Sequence, residues 1–538
     1  MRPTRPTQLA AALVLSLGLV SGSHAQDTRL PDIGSSAGEL LSPQEEIQYG
    51  AYTLYQLRRF GYVLEDPLID GWLDTMGHRL AAASDRPEQP FVFFLMRDRQ
   101  INAFATLGGF VGVNAGTILT AQNEDEIAGV VAHEISHVTQ RHVLRAVERA
   151  KQDQLPIMLA TLGAIIAAQK GGGRDANGNP NSGDAIQAAV LGGQALAAQR
   201  QINYTRSSEA EADRVGIQTL YQAGYNANGM GDFFERMDRM TRGNSGGYNV
   251  PSYLQTHPVT TTRLSEARER ASRLQKERPA YGSSSAVRPS LLLPWGMSAS
   301  GPGVSVPPQR MFEWARERLR VLTAESPSAA LKEAKAGLAA AGAKASDPQR
   351  YALALAHMQM GYPAAAEDLL QALAKTHPDN VWIGAALAEN AFVAKNESVA
   401  RKRYEALLSS HPEDRALSLS YAQTLNSIGT AEAGRRAQAI LRPLLPSNGD
   451  NPLFQKNFAR ASELAGDLPR AGEAFAEAAY LNGRAEDALN QLNALLKRDD
   501  ISYIQRARIE ARIAAITPEV LELQRKHIKP QDLPADQS

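Results

Sequence analysis

In the segment Val130-Val-Ala-His133-Glu134-Ile-Ser-His137, two histidines stand four residues apart and a glutamate directly follows the first. Four residues is about one helical turn. On a helix both imidazoles therefore leave one face and converge on a single tetrahedral ion, at the roughly 2.0–2.1 Å that zinc takes. Glu134, one step round, reaches the water on that ion and acts as its base. The motif also arises by chance on solvated helix faces, so a third ligand decides its meaning. A catalytic zinc site needs three protein ligands and an open fourth position. The chain has no cysteine, which leaves histidine or a carboxylate. Among the other histidines, His24 lies in an amino-terminal apolar segment, His142 is five residues past His137 and is expected to point elsewhere, and four stand beyond residue 308. Ser208-Glu209-Ala-Glu211-Ala-Asp213 supplies better candidates, because Glu209 and Asp213 lie one turn apart on one face. Glu209 can bind the ion. Asp213 is expected to fix the tautomer of a ligand histidine, or to help in proton transfer. Carboxylates at that spacing are common on solvated helices, and their position after the first motif is what gives these weight.

The elements that must position these groups are mostly helical. Ser42-Pro43-Gln44-Glu45 opens one helix with a capping box, and Asp66-Pro67 opens another whose Ile69, Trp72, Leu73, Met76 and Leu80 mark one buried face. Asn123 caps the motif helix, with Glu126 three residues on. Phe91 to Met96 and Phe110 to Val113 read as strands of a small sheet on either side of Gly108-Gly109. Leu155 to Ala168 and Ala185 to Ala198 read as apolar helical segments joined by a Gly-rich loop, 171–183. Each is too short to span a bilayer. Core packing and shallow membrane contact are alternatives, but the glycine hinges favour a lid or a partner surface.

A run of prolines from Pro279 to Pro308 marks a linker. Beyond it Pro378, Pro412 and Pro446 recur at one spacing, in frame with Ala354, Ala388 and Ala422, with Ala366, Ala400 and Gly434, and with Leu373, Leu407 and Leu441. Small residues where helices cross and a proline ending each unit suit stacked helical hairpins of tetratricopeptide type. The frame continues after a slip with Ala459, Gly466, Ala471 and Phe475, and a degenerate unit precedes it around Met311 to Leu322. The expected architecture is mainly α: a zincin-like peptidase domain with a small β-sheet, then an α-solenoid of tetratricopeptide-like hairpins. The domains run as a signal peptide 1–25, a metallopeptidase domain 26–278, a linker 279–308, repeats 309–515 and a tail 516–538.

The whole chain of 538 residues balances 57 basic against 57 acidic side chains, so no global field recruits nucleic acid or an anionic membrane. Arg2 and Arg5, the apolar stretch Leu9 to Val20 and Ser23-His24-Ala25 have the layout of a cleaved secretory signal. With no cysteine there is no lipid anchor at that position, and no stretch of the mature chain reads as a transmembrane helix. A bacterial periplasm is the expected compartment.

Asn102-Ala-Phe-Ala with Gly108-Gly109, the histidine motif and Glu209-x-Glu211-Ala212-Asp213 together resemble the zinc metallopeptidase family of the HtpX type. The signal and the carboxy-terminal repeats narrow the resemblance to its periplasmic barrel-assembly-enhancing branch, across almost the whole mature chain. The resemblance implies one zinc ion per subunit on His133, His137 and Glu209, with Glu134 as acid/base and Asp213 as the second carboxylate of the motif. It implies that the strand at Gly109, Phe110 and Val111 is an edge on which substrate backbone lies. It also places the His257-Pro258 element beside the metal, where His257 can take the fourth position as a latch and Arg263 can stabilise the oxyanion once the latch opens. The plainer alternative for His257-Pro258 is a loop end that caps the next helix. The implied work is maturation and degradation of outer-membrane beta-barrel proteins alongside the barrel-assembly machinery, which the repeats would engage. The alternative is a chaperone or adaptor acting through the repeats with a latched metal site. Peripheral membrane contact is compatible with either.

Overall fold

The computed structural model of the chain describes residues 41–149, 182–243, 252–277 and 308–525. The signal segment, the first apolar segment 155–168 with most of its loop, and nearly all of the linker lie outside these residues.

Helix α1 (Pro43–Arg59) begins at the capping box read from sequence, with Ser42 and Glu45 bonding reciprocally. Helix α2 (Pro67–Ala82) is capped by Asp66, whose side chain accepts from the Ile69 N–H. Between them lies β1 (Val63–Leu64), and β2 (Val92–Met96), β3 (Ala103–Ala105) and β4 (Phe110–Asn114) complete a sheet of order β1-β2-β4-β3. The β2–β4 pair is parallel, while β1–β2 and β3–β4 are antiparallel. Side chains alternate across the pleat. Leu95, Val111 and Val113 join the core shared with α2, and Phe94, Met96 and Phe110 pack with Ala51 and Leu54 of α1.

This order corrects the expected substrate edge. Val111 of β4 pairs with Phe93 on one side and Ala105 on the other, and every residue of β4 is buried. The edge strands are β1 and β3, which the sequence does not betray because two and three residues are too few to show an alternation.

After α3 (Ala115–Thr120) the motif helix α4 (Glu124–Thr139) runs through the middle of the domain. Helix α5 (Ser182–Gln222) crosses it and α6 (Gly229–Gly243) packs alongside. The second apolar segment, 185–198, is therefore the first half of the helix that carries Glu209. Two glycines allow the close crossings. A Cβ on Gly129 of α4 would lie 2.7 Å from the Met230 backbone of α6, and one on Gly216 of α5 would lie 3.1 Å from the Ala132 carbonyl of α4. A short helix α7 (Ser252–Thr256) and α8 (Thr261–Glu277) close the domain.

The carboxy-terminal half is helical throughout its described residues. Helices α9 (Pro308–Leu322) and α10 (Pro327–Ala341) form the degenerate first hairpin, and α11 (Asp347–Gln359) with α12 (Pro363–Thr376), then α13 (Val381–Val393) with α14 (Glu397–Ser410), follow the repeat frame. The next units are α15 (Arg415–Ile428) with α16 (Ala431–Leu441), and α18 (Pro452–Leu464) with α19 (Leu468–Leu481). Ala354, Ala388, Ala422 and Ala459 are fully buried, which is why the frame requires a small side chain there. The slip in the frame is the extra helical turn α17 (Leu445–Asn448), so Pro446 sits within a short helix instead of after one. Helices α20 (Ala485–Leu496) and α21 (Tyr503–Arg525) end the array. The expected tail begins inside α21, where Ile516 and Val520 are buried.

Candidate metal centre

Helix α4 starts where the Asn123 side chain accepts from the Glu126 N–H at 3.0 Å. Glu124, Asp125 and Glu126 fill its first turn, where the helix dipole favours negative charge. Ile127, Ala128, Val130, Val131, Ala132 and Ile135 are all fully buried, so the helix is held on more than one face. Its polar groups are consequently expensive to bury and must find partners.

His133, fully buried, and His137 direct their Nε2 atoms at each other, 3.0 Å apart. Glu209 reaches in from α5, with one oxygen 3.4 Å from His133 Nε2 and the other 3.3 Å from His137 Nε2. His257, just past α7, brings its Nδ1 to 3.4 Å from His133 Nε2 and to 3.0 Å from the Glu209 carboxylate. The four donor atoms lie within 4.8 Å of one another. Tetrahedral N and O donors around one ion at 2.0–2.1 Å stand about 3.3 Å apart, close to the spacings seen here. The donor set therefore fits a single divalent cation.

Glu134 is buried beside this cluster, its Oε1 3.7 Å from His257 Nε2 and without a hydrogen-bond donor among the described residues. A buried carboxylate oxygen left unmatched is costly, and its position beside the donors suits a group that awaits a water or substrate proton. Asp213, one turn along α5 from Glu209, stands 3.0 Å from His133 Nδ1. Arg263 lies against it, Nε and Nη2 donating to the two Asp213 oxygens at 2.7 and 2.8 Å. Its Nη1 donates to the Pro258 carbonyl at 2.8 Å and lies 3.0 Å from Glu209. In this placement the Arg263 guanidinium nitrogens all face the Asp213 and Glu209 carboxylates or the Pro258 carbonyl.

Charge settles accordingly. Burial alone would lower His133, but the neighbouring Asp213 and Glu209 carboxylates push it up to about 10. Glu209, against the effect of burial, is held far below the usual carboxylate range by the three surrounding histidines. Burial draws His137 down. Asp213 is also depressed, because Arg263 and His133 outweigh its burial.

Three side chains escaped the sequence reading. His142 stays out of the donor cluster, as expected, but it turns back behind a ligand: its Nδ1 is 2.9 Å from His137 Nδ1. The reason is that α4 stops at Thr139 and Arg141 takes a left-handed φ of 54°, folding the next residue back beneath the helix. A non-glycine residue in that region is uncommon, so the spacing carried no warning. Tyr253, one turn before His257, lies along its ring at 4.8 Å between centroids, and its N–H bonds to the Ile101 carbonyl near β3. Phe234 meets the His133 ring edge-on and sits beneath the Arg263 guanidinium.

A helix bearing His-Glu-x-x-His, a carboxylate from the next long helix and a small sheet alongside define a metallopeptidase. Residues 67–271 match peptidase family M48. A beta-barrel assembly-enhancing protease of Escherichia coli K12 is 30% identical over 511 residues, 94% of this chain and 95% of that one. A Vibrio cholerae protein, a candidate beta-barrel assembly-enhancing protease, is 40% identical over 267 residues, and this chain spans about half of that relative's length, 52%. Metalloprotease LoiP of Escherichia coli K12 is 26% identical over 184 residues, 34% of this chain and 64% of its own. The chain thus belongs to peptidase family M48, in the branch of the beta-barrel assembly-enhancing proteases, and is a metalloendopeptidase.

Proposed function

We propose that the chain is a periplasmic zinc endopeptidase that acts on outer-membrane beta-barrel proteins during their assembly and quality control, with its repeats engaging clients or the assembly machinery. The observation that carries the reading is the meeting of His133, His137, Glu209 and His257 at coordination spacing with Glu134 beside them. Relatives named as beta-barrel assembly-enhancing proteases align along almost the whole chain and support the client class. The domains follow as a signal peptide 1–25, a peptidase domain to residue 278, a linker, and tetratricopeptide-like repeats from 309 onward.

In this reading His133, His137 and Glu209 hold one zinc ion per chain. Bound there, zinc supplies Lewis acidity that polarises a peptide carbonyl and makes water acidic near neutrality. Glu134 takes the proton from the attacking water and passes it to the leaving amine. Asp213 holds His133 in the tautomer whose Nε2 lone pair faces the ion, and Arg263 holds Asp213. β3 pairs with no strand on its outer side among the described residues and packs near α4, so in this reading substrate backbone is laid along it by main-chain hydrogen bonds.

His257 in the fourth position closes the site to water, which makes it a latch and supports a second role, as a chaperone or adaptor while the latch is shut. Purified wild type, Glu134→Gln and His257→Ala, each assayed for bound metal and for cleavage of an unfolded barrel protein, test both parts. Glu134→Gln is expected to keep its metal and lose about 100-fold or more in rate, while His257→Ala gains activity. Wild-type cleavage by Glu134→Gln would overturn the peptidase assignment, and loss of activity in His257→Ala would overturn the latch. If Glu134→Gln still promotes barrel assembly in cells, the adaptor role stands apart from proteolysis.

A further inference from the structure

Beneath His137 lies a partly buried polar chain, led by the buried His142, to which neither the metal ligands nor the acid/base assigns a task. His142 is 4% exposed, and its ring meets the His137 ring edge-on with centroids 4.8 Å apart. The two Nδ1 atoms stand 2.9 Å apart. On the far side, His142 Nε2 is 3.1 Å from Glu211 Oε2, and Arg145 Nη1 donates to that oxygen at 3.0 Å and to the Gln140 carbonyl at 3.2 Å. The Tyr204 hydroxyl donates to the His142 carbonyl at 3.0 Å, which fixes the backbone of the returning turn.

The protons of this chain have a single consistent arrangement. His137 must present an Nε2 lone pair to an ion, so its proton is on Nδ1. That N–H can only be donated to His142 if His142 Nδ1 is the bare nitrogen. The His142 proton is then on Nε2, where Glu211 accepts it, and Arg145 holds Glu211 as the anion. Each member orients the next, and the negative charge at the far end makes His137 a stronger donor to metal.

We propose that His142 and Glu211 are positioning residues that together lock His137 in its metal-binding tautomer, with a histidine standing where a ligand histidine usually finds a carboxylate, a carbonyl or water. The inference deepens the proposed zinc site and rests on it. Zinc affinity is measured by competition with a chromophoric chelator on wild type, His142→Leu, His142→Asn and Glu211→Gln, together with the visible spectrum of each cobalt-loaded protein and the melting of each metal-free protein. His142→Leu keeps the bulk but offers no acceptor, and is expected to bind zinc about 10- to 100-fold more weakly. His142→Asn places a carboxamide oxygen near the lost Nδ1 and is expected to restore most of the affinity and the wild-type cobalt spectrum. Glu211→Gln keeps an acceptor without its charge, and its loss is expected to fall between the two. Equal affinity in wild type and a folded His142→Leu overturns the relay, as does an asparagine variant as weak as the leucine one. Should His142→Leu fail to fold, Glu211→Gln decides, and unchanged affinity there overturns the proposal. A wild type that takes up no zinc would instead remove the site itself, so the two failures are distinct.

Discussion

His133 carries an electrostatic contradiction: a fully buried imidazole that its carboxylate neighbours nevertheless push up to about 10. In the metal-free protein it therefore keeps its proton at neutral pH, and a cation entering the cluster has to displace it. The sign follows directly. Below about 10 the proton competes with the ion, so zinc affinity climbs with pH, and binding at pH 7 releases a proton from this residue. Calorimetric titration in buffers of different ionisation enthalpy measures that release, and a release of zero at pH 7 would contradict the assignment of His133. Arg263 shows the same logic from the cationic side. Its fork on Asp213 offsets a charge that would otherwise be unmatched beside the ligands.

At the scale of elements, α4 is held by its first turn as well as by its core. Glu124 is buried there, and burial pushes it up to about 7 even though Trp72 Nε1 and the Tyr225 hydroxyl donate to it. Between its ordinary 4.5 and about 7 the folded protein holds a proton that the unfolded chain has released, so this residue erodes stability as pH rises through that window. Glu124→Gln removes the titration and keeps an acceptor. It is expected to gain about 1–3 kcal/mol over wild type above pH 7 and little near pH 4.5, as read by urea unfolding at both values. A gap that does not grow with pH would contradict this account of the helix start. The caps at Ser42, Asp66 and Asn123 were legible because each is a local contact within three residues. So were the pairs His133 with His137 and Glu209 with Asp213, since helical spacing puts each pair on one face, whereas their meeting rested on the order of the two motifs along the chain. Strand order was not legible: β1 and β3 hold two and three residues, and what made β4 central is pairing with β3, which shows no pattern of its own. The return of His142 was hidden for a different reason, because it turns on one residue's φ.

For the molecule as a whole, the repeats and the peptidase domain share a buried ionic contact. Arg318 of α9, 6% exposed, donates to Asp66 at the start of α2 at 2.7 and 2.9 Å and to Glu389 of α13 at 3.0 and 3.1 Å. Trp72 packs against Phe312 beside it, and Arg415 of α15 reaches Asp74 of α2 at 2.7 Å. Removing Arg318 leaves two carboxylates without their partner, so Arg318→Ala is expected to cost about 3–5 kcal/mol in chemical denaturation. A loss under about 0.5 kcal/mol would show that the contact does not join the two halves. Among the described residues no helix is long and apolar enough to cross a membrane. The repeat frame was readable across this half because the same alanines are buried in each unit, whereas the docking of the array onto α2 rests on single residues from distant parts of the chain.

The most direct test is the metal content of the purified chain after zinc loading and exhaustive dialysis, compared with His133→Ala and Glu209→Ala variants shown to be folded. One zinc per wild-type chain, and none retained by either variant, is the predicted result. A wild type that holds no zinc, or variants that hold it as well as wild type, would contradict the placement of the metal between α4 and α5.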